Sequence, residues 1–152
     1  RLVTVMPTSI KGNQQQWRYT KTRPGDDWFA VDFDDSALSS GAGGFGSASS
    51  PAAIVGTEWT EPDIWLRRSL MIQGNPPQGG YWRIHHDEDA EVYVNGKLVQ
   101  TFPGYTQSAT LVPRSEEAIR AFKQGRNEIA VHCRQTDGGQ YIDLGILEAA
   151  EQ

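Results

Sequence analysis

The stretch that decides the fold is Tyr81-Trp-Arg-Ile-His-His-Asp-Glu-Asp-Ala-Glu-Val-Tyr-Val-Asn-Gly-Lys-Leu-Val99. It opens as an alternating strand with Trp82, Ile84 and His86 on one face and Tyr81, Arg83 and His85 on the other. An acidic corner, Asp87-Glu88-Asp89, follows. A second alternation then sets Val92 and Val94 against Glu91, Tyr93 and Asn95. Asn95-Gly96 is a strong hairpin signal, because both central positions of a type I′ turn need positive φ. Lys97-Leu98-Val99 is the returning strand. The middle of the chain is therefore β-structure, and the flanking segments read as sheet packed around it.

Composition bounds the rest. At 152 residues one domain is expected, large enough to bury a core without staples. A net charge of −5 without any basic run argues against a nucleic-acid partner and against an anionic membrane surface. No apolar run approaches the ~20 residues of a membrane span, and no signal peptide is visible. With Arg1 in first place, the chain reads as a mature form or a piece of something longer. Cys133 is the only cysteine, so no internal disulfide can form. It shares an apolar strand face with Ile129 and Val131, which makes it a buried small hydrophobe rather than a nucleophile.

Residues 1–16 read as an irregular lead-in or linker, with an apolar Leu2–Met6 followed by Pro7 and a polar stretch from Lys11 to Gln16. The domain proper is expected over 17–152. Trp17–Thr20 is a short strand, and Trp28–Phe33 carries enough aromatic mass to anchor a loop. Ser39–Ser50 is almost all Gly, Ser and Ala around Phe45, which predicts an irregular loop pinned by that ring. Thr57–Asp63 reads as a polar loop and Ile64–Ile72 as a strand. Ala109–Val112, Asn127–Thr136 and Tyr141–Leu147 are further strands, with Trp65 and Trp82 in the core. Ser115–Lys123 is the one helix, with Ser115 as N-cap, acids in its first turn and Gly125 past its end. Many short strands, one short helix and Gly/Pro-rich turns predict an all-β sandwich of two antiparallel sheets.

Four motifs in order then carry a resemblance: Asp63-Ile-Trp-Leu-Arg-Arg-Ser-Leu70, Asp89-Ala-Glu-Val-Tyr-Val-Asn-Gly96, Gly104-Tyr105 and Lys123-Gln-Gly-Arg-Asn-Glu-Ile-Ala-Val131. Together they resemble the galactose-binding-like jelly-roll domain, in the form of the sugar-binding domain of family 2 glycoside hydrolases. The segments His86–Gly96 and His132–Asp143 are similar to accessory modules of bacterial polysaccharide-degrading proteins. The resemblance spans roughly residues 57–147. It implies a jelly roll without catalytic activity, whose partner is a carbohydrate or an adjacent catalytic domain of the same chain. It also implies a periplasmic or extracellular location.

Several chemistries can be weighed on the residues themselves. Asp87, Glu88 and Asp89 would have to face a partner such as Asp143 or Glu58 to act as a glycosidase pair, since hydrolysis needs carboxyls on both sides of the scissile bond. Neighbours on one strand end point alternately, so they read as turn-capping acids. A zinc site from His85, His86, His132 and Asp87 is weakened because His85 and His86 face opposite ways. A structural calcium could use Asp26, Asp27, Asp34 and Asp35, which offer hard oxygen ligands. Ser36, Ser69 and Ser108 have no elbow motif or adjacent base. Gly41–Gly46 lacks the helix and the Lys-Ser/Thr of a phosphate loop. A sugar site needs an exposed aromatic ring with planar polar groups around it. The loop candidates are Glu58, Trp59, Tyr105, Arg134, Gln135, Asp137, Gln140 and Tyr141, with Trp59 and Tyr105 each either a platform or a plug at the end of the core.

Overall fold

Strand alternation through 81–99 folds as the sequence predicts. Among the segments around it, β7 (Gly80–Asp87), β8 (Asp89–Val94) and β9 (Lys97–Phe102) are strands, and Asn95 and Gly96 both take positive φ, 50° and 83°. The computed structural model describes residues 1–10, 12, 15–48, 50 and 52–149. Lys11, Asn13 and Gln14 of the polar stretch, Ser49 of the Gly/Ser loop and residues 150–152 of the expected domain lie outside the described residues.

Two sheets form. One has the order β10 (Thr110–Pro113), β7, β12 (Tyr141–Ala149), β4 (Phe45–Gly46), β5 (Thr57–Glu58), with β1 (Leu2–Met6) also pairing β12. The other runs β3 (Ser39–Ala42), β2 (Gln16–Thr20), β6 (Asp63–Ile72), β11 (Gly125–Arg134), β8, β9. All pairings are antiparallel except the short β4–β5 contact. The fold is a jelly-roll sandwich, and α1 (Glu116–Ala121) is the one helix among the described residues.

The inner faces follow from period-two alternation. Trp82, Ile84, Ile142, Leu144 and Ile146 meet Ile64, Leu66, Val92, Val94, Ile129, Val131 and Cys133, all at most 1% exposed. Burial pushes the Cys133 thiol far up, out of the range of a nucleophile. Ser115 caps α1 by accepting from the Ala118 N–H at 3.1 Å. Asn127, fully buried, gives the last motif its physical meaning. Its Oδ1 accepts from the Lys123 N–H and the Asn95 side chain, while its Nδ2 donates to the Lys123 and Gly125 carbonyls. One amide thus ties the helix exit to the hairpin.

Three expectations change. Within the expected lead-in over 1–16, Leu2–Met6 is a strand on β12 and Met6 is 1% exposed in the core. Its partner lies some 140 residues away, beyond any local pattern. The expected irregular loop Ser39–Ser50 contains β3 and β4. Its glycines serve close approach: a Cβ on Gly46 would come within 2.2 Å of the Gln140 carbonyl oxygen. Finally, Trp65 is buried but not between the sheets. It points outward from β6 and joins Trp28 and Ala130 in a second cluster, which Phe29, Phe33 and Tyr93 flank.

Candidate functional site

Residues 23–38 cross the outer face of the β2–β6–β11–β8 sheet as successive turns, Trp28 N–H to Gly25 O at 3.1 Å and Ala30 N–H to Asp27 O at 2.9 Å. Arg67 holds this strap from below. It sits on β6 at 1% exposure, donating through Nη1 to the Trp28 and Ala30 carbonyls (2.7 and 3.0 Å) and through Nε to Asp35 (3.1 Å). Its Nη2 lies 3.5 Å from Glu128, and its guanidinium lies 5.2 Å from the Phe33 ring centroid. The arginine thereby satisfies backbone carbonyls that a turn-rich strap would otherwise leave unpaired.

Between strap and sheet is a cup of about 340 Å³ lined by Arg23, Asp26, Trp28, Phe29, Trp65, Glu91, Tyr93 and His132. The His132 ring stacks on Trp65 at 4.8 Å and 4°. Its two nitrogens face Asp63 at 2.7 Å and Glu91 at 3.1 Å. Phe29 stacks on Tyr93 at 4.4 Å, and Trp28 meets Tyr93 edge-on at 5.2 Å. Burial and the Glu91 charge push the Tyr93 hydroxyl pKa up, keeping it a neutral donor and acceptor. Exposed Arg23 and Asp26 stand on the rim. The result is an aromatic floor with both signs of charge around it, at the lower end of the ~300–1,000 Å³ range of small-molecule pockets.

The loop candidates divide. Trp59 is a plug: it is wholly buried and its indole N–H donates to the Asp63 carbonyl at 3.0 Å. Tyr141 (2% exposed) bridges the Ile54 backbone, and Gln140 (7%) donates to the Glu61 carbonyl, so both are structural. Glu58 is exposed on β5. Tyr105, Arg134, Gln135 and Asp137 do gather at one end of the sandwich. Asp89 accepts from both the Gly104 N–H and Arg134, and Glu88 accepts from the Asp137 N–H. There Tyr105 is 63% exposed.

The expected calcium ligands do not converge. Asp35 binds Arg67, Asp34 accepts from the Ser36 N–H of its own turn, and Asp26 stands on the cup rim. Among the described residues no group of three or more His, Cys, Asp or Glu could hold a metal ion. His85 and His86 face opposite sides, as alternation requires, and His132 is engaged in the cup. Sequence reasoning missed the cup itself. Outward positions for Tyr93 and Glu91 were legible, but only the strap's long-range docking converts Trp65 and His132 from core and metal candidates into a pocket.

On the opposite sheet, Asp143 is 7% exposed, and burial pushes its carboxyl up to about 7 even though the Ser9 N–H donates to it at 2.9 Å. An unfolded aspartate ionises near 4. Between those values the folded state holds a proton that the unfolded chain has lost, so this group's contribution to stability falls as pH rises from about 4 to 7. Urea titrations at pH 5 and 8 should therefore show that Asp143→Asn flattens this fall, by up to a few kcal/mol. Equal pH dependence in both proteins would refute the assignment.

No protein-family model matches the chain, and no curated protein matches it. Solved structures do. The Bacteroides uniformis β-glucuronidase superposes with a TM-score of 0.66 at 16% identity, over 97% of this chain and 18% of its own. A family 2 glycosyl hydrolase from Bacteroides cellulosilyticus gives 0.61 at 18% identity, over 88% and 20%. The Ruminococcus gnavus β-glucuronidase gives 0.58 at 11% identity, over 99% and 29%. The chain thus spans between about a fifth and a third of the length of these enzymes. In fold it is a jelly-roll β-sandwich resembling a domain-sized part of family 2 glycoside hydrolases.

Proposed function

We propose that this chain is a non-catalytic accessory module of a larger, exported glycoside-hydrolase-type protein, and that it holds a saccharide in the cup beneath the 23–38 strap. The observation that carries the reading is the cup itself: Trp28, Trp65 and Tyr93 form an aromatic base, with Arg23, Asp26, Glu91 and His132 around them. Pyranose C–H faces pack on aromatic rings, and planar charged groups orient the hydroxyls. No step of hydrolysis is asked of it, because Asp63 and Glu91 are held apart by the imidazole they share. Retaining and inverting enzymes alike need two carboxyls facing one bond.

A second reading is favoured by exposed Tyr105 and the Asp89–Arg134 pair beside it: that end would pack against a neighbouring catalytic domain. The two separate by calorimetry against a panel of neutral and acidic oligosaccharides, with product release followed in parallel. Binding that Arg23→Ala/Asp26→Ala weakens at least about tenfold, through loss of charged hydrogen bonds, with no hydrolysis, supports the module. Released product would contradict the non-catalytic assignment. Binding untouched by that variant but lost in Tyr105→Ala would move the site to the sandwich end.

A further inference from the structure

At the other flank of the same sheet, β2 stops pairing with β6 at Arg18↔Arg67 while β6 runs on. The gap is a pocket of about 290 Å³ whose lining includes four arginines, Arg18, Arg67, Arg68 and Arg126, with Asp35 and Trp17. Arg67 is neutralised by Asp35 and Glu128, and Arg126 shares Glu128 at 2.8 Å. Four arginines around the gap therefore share two carboxylates, which leaves two positive charges in excess in a chain whose net charge is −5.

The excess falls on two residues. Arg68 occupies a core-facing position of β6, between Leu66 and Leu70, where alternation calls for an apolar side chain. Its guanidinium lies 5.4 Å from the Trp17 ring centroid and makes only 3.5 Å contacts, to Gln15 Oε1. Arg18 donates to the Leu38 carbonyl at 3.1 Å. Among the described residues neither has a carboxylate within ion-pair distance. A half-buried cation without a counter-charge is costly, and a planar fork of donors suits oxyanions in bidentate geometry.

We propose that this pocket binds an oxyanion group, a sulfate or carboxylate, between Arg18 and Arg126, at the gap that Arg68 also lines. Desolvation pulls the Arg68 pKa down, as expected of a charge awaiting a partner. Ser69 accepts from Arg126 at 3.1 Å and aligns it toward the gap. The cup plays no part in this assignment. An anion carried by a saccharide and a free inorganic anion share this chemistry.

The test is a titration of the whole chain with sodium sulfate, glucose 6-sulfate and glucose, at ionic strength matched with sodium chloride, read by calorimetry and melting temperature. Sulfate and glucose 6-sulfate should bind, and Arg68→Gln and Arg18→Gln should each weaken them about tenfold, the value of one charged hydrogen bond. Arg18 is exposed, so Arg18→Gln is expected to fold normally even where Arg68→Gln does not. Tighter binding of glucose 6-sulfate than of sulfate assigns the anion to a saccharide, and equal binding assigns it to the free ion. Either supports the site. No sulfate binding beyond the chloride control, or binding unchanged in Arg18→Gln, overturns it.

Discussion

Arg67→Met is expected to lower stability by about 3–5 kcal/mol, the cost of breaking a buried ion network from one side. Methionine keeps the apolar stem but leaves Asp35 and the nearly buried Glu128 without their shared cation, and the Trp28 and Ala30 carbonyls without a donor. The strap would then keep Trp28 with its aromatic contacts and the Arg18–Leu38 bond, but lose its central anchor. Two readouts follow: a lower urea midpoint, and earlier proteolytic cleavage within 23–38 than in the parent under native conditions. The variant should also lose saccharide affinity, because the cup's far wall is the strap. Unchanged stability and unchanged cleavage would mean that Arg67 does not fasten it.

Trp59→Ala should cost a similar amount, about 3–5 kcal/mol, as expected for emptying a fully buried tryptophan site. For a chain of this length each kcal/mol moves the melting temperature by roughly 2–4 °C. Tyr105→Ala should stay within about 0.5 kcal/mol, since an exposed ring away from caps and networks contributes little. The pair distinguishes plug from platform, which the sequence left open for both residues. Calorimetric unfolding of the two variants measures it. A near-neutral Trp59→Ala would contradict its place in the core.

Much of the fold was legible because its signals are local. The Asn95-Gly96 turn, the Ser115 cap and the alternation of Val92/Val94 and Trp82/Ile84 all depend on neighbours in sequence. What escaped depends on distant partners. Leu2–Met6 becomes a strand only because the end of β12 offers an edge, and Ser39–Gly46 only because Gly44 and Gly46 admit backbones from residues 54 and 140. The site was less legible for the same reason. Tyr141 and Gln140 looked like loop ligands because nothing nearby in sequence announces the Ile54 and Glu61 carbonyls they serve. Trp65, Tyr93 and His132 were visible as single residues on outward or ambiguous positions. Their union requires register: His132 lies opposite Trp65 on one side and Glu91 on the other. Arg68 breaks the apolar alternation of β6 in plain view, yet its consequence appears only where β2 ends.

The claim on which the function rests is that saccharide meets the sheet face under the strap and not the turns at the sandwich end. The chain's five tryptophans report on it directly, because each indole N–H gives one resonance in a nitrogen–proton correlation spectrum. On titration with a neutral oligosaccharide that binds, the Trp28 and Trp65 indoles should shift, while Trp17, Trp59 and Trp82, in the core between the sheets, stay still. Shifts confined to the backbone of residues 104–106 and 134–138, with the Trp28 and Trp65 signals unmoved, would contradict the account.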